Sequence, residues 1–242
     1  MADAAAADEG DKAVALHPLV ILNVCDHYTR VKLRADSGAP LAADADPRSI
    51  VAAQAHEGDL PVVGALIGVQ NGLAVDVYNS CELLFDCRAW SESGRLVLDT
   101  KFLQDKLDLI TQVYPGHELL GWYNARAGGA VRPADLAVHD TLKNFNESPL
   151  YLVLDHAVGA AALSADAKEL PIALFETATR IVDNVPSSVF VKVGYKIETV
   201  EPERVSVDHV ARSVPACQAG GDFLTVEVVQ QGGADGLHPV YV

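Results

Sequence analysis

Histidine, cysteine and carboxylate side chains are the groups that could hold a metal or attack a substrate, and the chain carries eight His, four Cys and 33 acidic residues. Their spacing excludes most familiar chemistries. No H-x-H, H-E-x-x-H or H-x-x-x-H occurs, and no C-x-x-C pair exists for zinc or redox work. A G-x-G-x-x-G turn, a Walker loop and a G-x-S-x-G elbow are all missing, so neither a nucleotide nor a serine hydrolase is favoured. Asp-His dipeptides stand at Asp26-His27, Asp155-His156 and Asp208-His209. Adjacent residues do not face each other on a helix or strand, so these pairs read as structural. Cys25 lies in an apolar segment, where a small buried hydrophobe is the ordinary reading of a thiol.

The formal net charge is −15 over 242 residues, half of them apolar and 21% charged. That is the profile of a globular chain, long enough to bury a full core without staples. The acidic balance argues against nucleic acid or an anionic membrane as partner. No apolar run approaches the roughly 18 residues of a spanning helix; the longest, residues 60–69, contains Pro61, Gly64 and Gly68. The first twelve residues lack a basic region and an apolar core, so they do not read as a secretory signal. Cys25, Cys81, Cys87 and Cys217 are expected as reduced thiols of a cytoplasmic or nuclear protein, leaving the sequon at Asn146 unused.

Residues 1–12 read as a disordered tail and 13–212 as one domain. Within it, a strand at 14–16 leads to Pro18, which suits the first turn of a helix over 18–32 with Val20, Val24, Tyr28 and Val31 inward. Residues 35–59, rich in Ala, Asp, Gly and Pro, read as a flexible insertion. Strands follow at 61–69, 73–77 and 79–85. Asp99 or Thr100 caps a helix to Tyr114 whose inward face is Phe102, Leu103, Leu107, Ile110 and Val113. A strand at 117–123 precedes the Gly128-Gly129 loop and a helix opened by Pro133, with Leu136, Leu142 and Phe145 inward. Further strands at 150–154, 172–182 and 188–200, the last two an antiparallel pair joined near 184–187, and a helix at 203–212 complete an α/β (α+β) pattern without internal repeats.

Three segments carry more specific information: His17-Pro18-Leu19-Val20-Ile21-Leu22-Asn23, Pro61-Val62-Val63-Gly64-Ala65-Leu66-Ile67-Gly68, and Leu119-Leu120-Gly121-Trp122-Tyr123 followed by the helix bearing Asp135. Together they resemble the MPN (JAMM-like) domain family. The likeness is strongest to the subunit-six branch found in the constitutive photomorphogenesis 9 (COP) signalosome, through residues 16–30, Ile67-Gly68-Val69-Gln70, Asn79-Ser80, Glu82-Leu83-Leu84, Asn146 to Leu150, Leu170-Pro171-Ile172 and residues 197–212. It stops at Arg212. Residues 213–242 hold no Lys or Arg and no sustained helical period, and read as a divergent, poorly ordered tail.

The resemblance implies a single MPN domain, a mixed curved sheet flanked by helices and cytidine-deaminase-like in type. In catalytic members a histidine pair after the Gly-Trp-Tyr triplet and an aspartate opening the next helix bind zinc, and a glutamate on the earlier strand activates the metal-bound water. Two imidazoles two apart at a strand end project to one side, and a carboxylate completes three ligands with one open position. Here those histidine positions hold Asn124 and Arg126, the glutamate position Pro61 and a supporting serine position Arg132; only Asp135 matches. The resemblance therefore implies a pseudoenzyme without metal or other cofactor. Its partners would be the catalytic zinc-bearing MPN subunit and the other signalosome subunits, in a complex that removes a ubiquitin-like modifier from cullins in cytoplasm and nucleus. The competing readings are a metallo-isopeptidase with displaced ligands (Asp135, His139 and His117), or an inactive MPN subunit of the proteasome lid or of translation-initiation factor three.

Overall fold

The computed structural model describes residues 12–36, 61–86, 95–157, 170–182 and 185–213. Most of the expected tail at 1–12, insertion at 35–59 and divergent segment at 213–242 lie outside the described residues. The described chain runs β1 (Ala13–Leu16), α1 (Pro18–Asp36), β2 (Val62–Asn71), β3 (Ala74–Glu82), α2 (Thr100–Val113), β4 (Glu118–Arg126), α3 (Asp135–Leu142), β5 (Leu150–Asp155), β6 (Ile172–Val182), β7 (Val185–Val193), β8 (Tyr195–Ile197) and α4 (Glu201–Ser213). This is the expected α+β order with a mixed sheet.

The sheet order is β7-β6-β5-β4-β2-β3-β1-β8. β4 and β5 are parallel, as β1 is to β3 and to β8, while the β2–β3, β2–β4, β5–β6 and β6–β7 pairs are antiparallel. β7 and β8 follow each other in the chain across Gly194, yet they stand at opposite ends of the strand order. The sheet must therefore curl until its edges meet. Lys12 fastens the closure: its Nζ donates to the Ser148 carbonyl (2.8 Å) and Oγ (2.7 Å) and lies 3.6 Å from Glu176.

Helices cover both faces. On one, Val20, Ile21 and Val24 of α1 pack over Val62, Leu66, Val77 and Tyr123. On the other, Leu103 of α2 and Val138 and Leu142 of α3 meet Val63, Ile67, Trp122 and Tyr151. β2 and β4 are covered on both sides, which is why they read as unbroken apolar runs instead of alternating ones. Asp99 caps α2 as expected, its carboxylate accepting the Phe102 N–H (3.0 Å).

Several boundaries differ from the sequence reading, each for a local reason. α1 runs to Asp36, past the expected start of the insertion. α3 begins at Asp135, with Pro133 in the turn before it, and its buried side chains are Asp135, Val138, His139 and Leu142, leaving Leu136 only half-buried. Val113 of α2, expected inward, is 66% exposed at the last residue of the helix. β7 starts at Val185, and the expected single strand over 188–200 divides at Gly194, where the chain crosses from one edge to the other. β4 continues three residues beyond the Gly-Trp-Tyr triplet, carrying Asn124 and Arg126 on the ladder, since Ala125 still pairs with Val62 and Leu154. The sequon residue Asn146 is engaged inside the fold: its Nδ2 donates to the Leu119 carbonyl (2.8 Å) and its Oδ1 accepts the Ser148 N–H (2.9 Å).

Candidate functional site

Strand alternation puts Trp122, Asn124 and Arg126 on the same face of β4, the side covered by α3. The chain leaves β4 through Gly128 and Gly129, whose φ values of 79° and 57° are left-handed; only glycine adopts such a turn without strain. Asp155 at the end of β5 holds the loop by accepting the Gly128 N–H (2.8 Å). The loop then returns α3 so that Asp135, its first residue, faces Arg126.

The two side chains form a buried two-pronged ion pair. Arg126 Nη1 donates to Asp135 Oδ2 and Nη2 to Oδ1, both at 2.9 Å, the geometry in which a planar guanidinium matches a carboxylate. Arg126 is 4% and Asp135 7% exposed. Oδ2 also accepts the Arg132 backbone N–H (2.8 Å) and the Tyr151 hydroxyl (3.0 Å). Nη1 reaches the Ala130 carbonyl as well (3.2 Å), while Arg126 Nε is buried without a partner. Burial, and after it the Asp135 charge, pushes the Tyr151 phenol up from its ordinary value. One guanidinium thus ties together β4, the loop and α3, and β5 is joined to them through Tyr151.

The structure brings five of the singled-out positions to this end of the sheet. Arg126 and Asp135 join one network, Asn124 is buried two residues before Arg126 on the same face of β4, and Arg132 contributes its backbone N–H while its side chain is exposed. Pro61 is buried directly before β2, whose Val62 stands opposite Ala125. The displaced-ligand set is not assembled. His117 precedes β4 at the far end from Arg126, roughly 30 Å along the strand, among the rings of Tyr78 and Tyr114.

His139 is buried and both its nitrogens are spoken for. Trp122 Nε1 lies 3.2 Å from Nδ1, and Thr177 Oγ1 lies 3.2 Å from Nε2. An indole N–H can only donate, so Nδ1 accepts and the proton sits on Nε2, directed at Thr177. Burial, reinforced by Lys143, pushes His139 down from 6.5 to about 4. The unfolded chain therefore binds one more proton between those values, so the stabilisation from neutral His139 is complete above pH 6.5 and is lost as pH falls toward 4. Urea unfolding at pH 7, 5.5 and 4.5 is expected to show a progressive loss of up to about 3 kcal/mol from this group. His139→Phe should flatten that window, at the cost of about 1–3 kcal/mol at pH 7 for the stranded indole N–H.

The network's other members were not singled out in the sequence. Tyr151 offered a signal, since a hydroxyl in an otherwise aliphatic buried strand needs a partner. Trp122 stacks on its ring at 3.9 Å between centroids. Cys25 and Cys81 conform to the structural reading, their thiols pushed up to about 11 by burial.

The family model described as JAB1/Mov34/MPN/PAD-1 ubiquitin protease matches residues 9–148. Among curated proteins, the chain is 42% identical over 216 residues to COP9 signalosome complex subunit 6 of Oryza sativa subsp. japonica, covering 89% of this chain and 59% of that protein. It is 38% identical over 201 residues to subunit 6a of Arabidopsis thaliana, covering 83% and 59% respectively. With subunit 6 of Dictyostelium discoideum the identity is 35% over 207 residues, covering 86% and 56%. The chain spans 59% of the length of the two plant relatives.

Proposed function

Because the chain belongs to the JAB1/Mov34/MPN/PAD-1 family, we propose that it is a non-catalytic MPN subunit of a COP9 signalosome-type complex. Its part there is to pair with the zinc-bearing catalytic MPN subunit in removing a ubiquitin-like modifier from cullins, in cytoplasm and nucleus. The names of its relatives support the complex. The observation that carries the non-catalytic reading is the guanidinium of Arg126 fixed on Asp135.

A zinc hydrolase needs three nitrogen, sulfur or carboxylate ligands and an open position for water. The donor set here does not fit one. Asp135 already spends both oxygens on Arg126, the Arg132 N–H and Tyr151. Arg126 carries a permanent positive charge and offers no lone pair, and it sits where the carboxylate's counter-cation belongs. Pro61 accepts no proton, so no general base stands on the earlier strand.

Pairing draws support from α2. Its end leaves Leu109, Val113 and Tyr114 outward, 56%, 66% and 49% exposed. By contrast, Val20, Ile21 and Val24 of α1 are used in covering the sheet.

Metal analysis of the purified chain tests the reading. We expect no stoichiometric zinc and no isopeptide cleavage. Roughly one zinc per chain, with cleavage that a chelator abolishes, would overturn it.

A further inference from the structure

β2 and β3 are joined by a tight, exposed turn at Gly72 and Leu73. Asn71 pairs with Ala74 at the end of the ladder, and Gly72 follows it with a left-handed φ of 64°, which glycine takes without strain in a two-residue hairpin. Among the described residues, neither the exposed Asn71 carboxamide nor the Gly72 N–H makes a hydrogen bond. A Cβ placed on Gly72 would meet nothing within 4 Å. A free carboxamide, the free backbone nitrogen that follows it and open space thus coincide at one solvent-exposed point. The chain has no second Asn-Gly pair; every other asparagine precedes a residue whose side chain crowds the following nitrogen. Asn23, Asn79, Asn144 and Asn146 are also held by side-chain hydrogen bonds, and Asn124 is buried. The turn in its turn fixes the start of β1. Its Leu73 carbonyl accepts the Ala13 N–H (2.9 Å), next to the Ala13–Ala74 pair of the β1–β3 register.

We propose that Asn71 is a site of spontaneous deamidation, and that isoaspartate formed there detaches the turn from Ala13. The Gly72 nitrogen attacks Cγ of Asn71. The new N–Cγ bond closes a succinimide ring, the Cγ–Nδ2 bond breaks, and Nδ2 leaves as ammonia with the proton that Gly72 gives up. One water then opens the ring. Attack at Cγ gives aspartate; attack at the main-chain carbonyl carbon gives isoaspartate, whose backbone runs through Cβ and Cγ. Both products replace an amide by a carboxylate and add one negative charge to the net −15. To bring the two atoms together Asn71 must leave its extended conformation, which opens only the last pair of the β2–β3 ladder, a fraying motion. Aspartate keeps the backbone of the turn. Isoaspartate adds one carbon to it, so the two-residue geometry that aims the Leu73 carbonyl at Ala13 is lost.

Ageing of the full, folded chain in mildly alkaline buffer tests the site, with a methyltransferase specific for isoaspartyl carboxylates as the probe and peptide mapping as the readout. Methyl label on the peptide containing residue 71 should exceed that at any other asparagine at least tenfold, a barrier difference of about 1.4 kcal/mol. It should rise in proportion to hydroxide concentration, because the Gly72 nitrogen attacks once deprotonated. Asn71→Ser should remove it. Label spread evenly over several asparagines, label that persists in Asn71→Ser, or a residue-71 peptide that reacts in urea but not in the folded chain would overturn the site. The more acidic fraction of the aged chain, collected by anion exchange and rich in isoaspartate by the methyl label, tests the consequence. Its Ala13 amide should exchange with solvent at least about fivefold faster, the worth of one net hydrogen bond, while Val62 and Val63 at the other end of β2 keep their rates. Asn71→Asp, which adds the charge alone, should leave Ala13 at its wild-type rate. Equal Ala13 rates in the isoaspartate fraction and in Asn71→Asp would overturn the detachment.

Discussion

Arg126→Met is expected to cost about 3–5 kcal/mol of stability, because it strands a buried carboxylate. The loss follows from the geometry: Asp135 is 7% exposed and Arg126 supplies two of its donors. Tyr151 and the Arg132 N–H remain on Oδ2, but two hydrogen bonds do not neutralise a charge. In a chain of this size the change should lower Tm by about 10 °C or more. The double variant Arg126→Met with Asp135→Leu should recover most of that loss, since replacing both partners of a buried pair by apolar groups is often neutral. Thermal and urea unfolding of the two variants check this. A single-variant loss below about 1 kcal/mol, the level of an exposed pair, would show that the ion pair is not the anchor of this end of the sheet.

Gly121→Ala is expected to be as damaging, for a backbone reason. Gly121 is paired with Leu150 where β4 and β5 run parallel, and a Cβ at residue 121 would run into the Leu150 carbonyl. A flexible side chain could give way, but a ladder carbonyl cannot move without opening the strand pair. That pair carries Trp122, Asn124 and Arg126 on one strand and Tyr151 on the other, so the network would be lost with it. We expect a loss of at least about 3 kcal/mol, at the upper end for overpacking. The near-ultraviolet signal of Trp122 against Tyr151 should weaken as well. A soluble Gly121→Ala protein with wild-type Tm would contradict the register described for β4 and β5.

Much of this architecture was legible because it rests on local rules. The Asp99 cap, the Pro18 helix start and the doubly buried runs of β2 and β4 each leave a mark in neighbouring residues. The segments around His17, Pro61 and Trp122 carried the resemblance that marked the positions of interest. What the sequence did not disclose are contacts made by closure of the sheet. Nothing near Gly194 signals that it joins opposite edges, and Glu203 and His17, whose side chains share a hydrogen bond, lie 186 residues apart. The Arg126–Asp135 pair is an intermediate case. Both residues were singled out, Arg126 at a position that a histidine ligand holds in catalytic members and Asp135 as the one match, but that they bond each other depends on the Gly128-Gly129 loop. His139 shows the opposite error, since its spacing from Asp135 suggested a ligand, whereas Trp122 and Thr177 take up its ring.

On the proposed function, this chain acts by binding a catalytic relative and not by chemistry of its own. Light scattering of an equimolar mixture with a zinc-bearing catalytic MPN subunit, at micromolar concentration, decides the matter. A single 1:1 species is expected, with isopeptidase activity unchanged by the double variant Arg126→Met with Asp135→Leu in this chain, which removes the buried pair whole. Two separate monomeric peaks, or cleavage that disappears with the double variant while its fold is retained, would show the reverse.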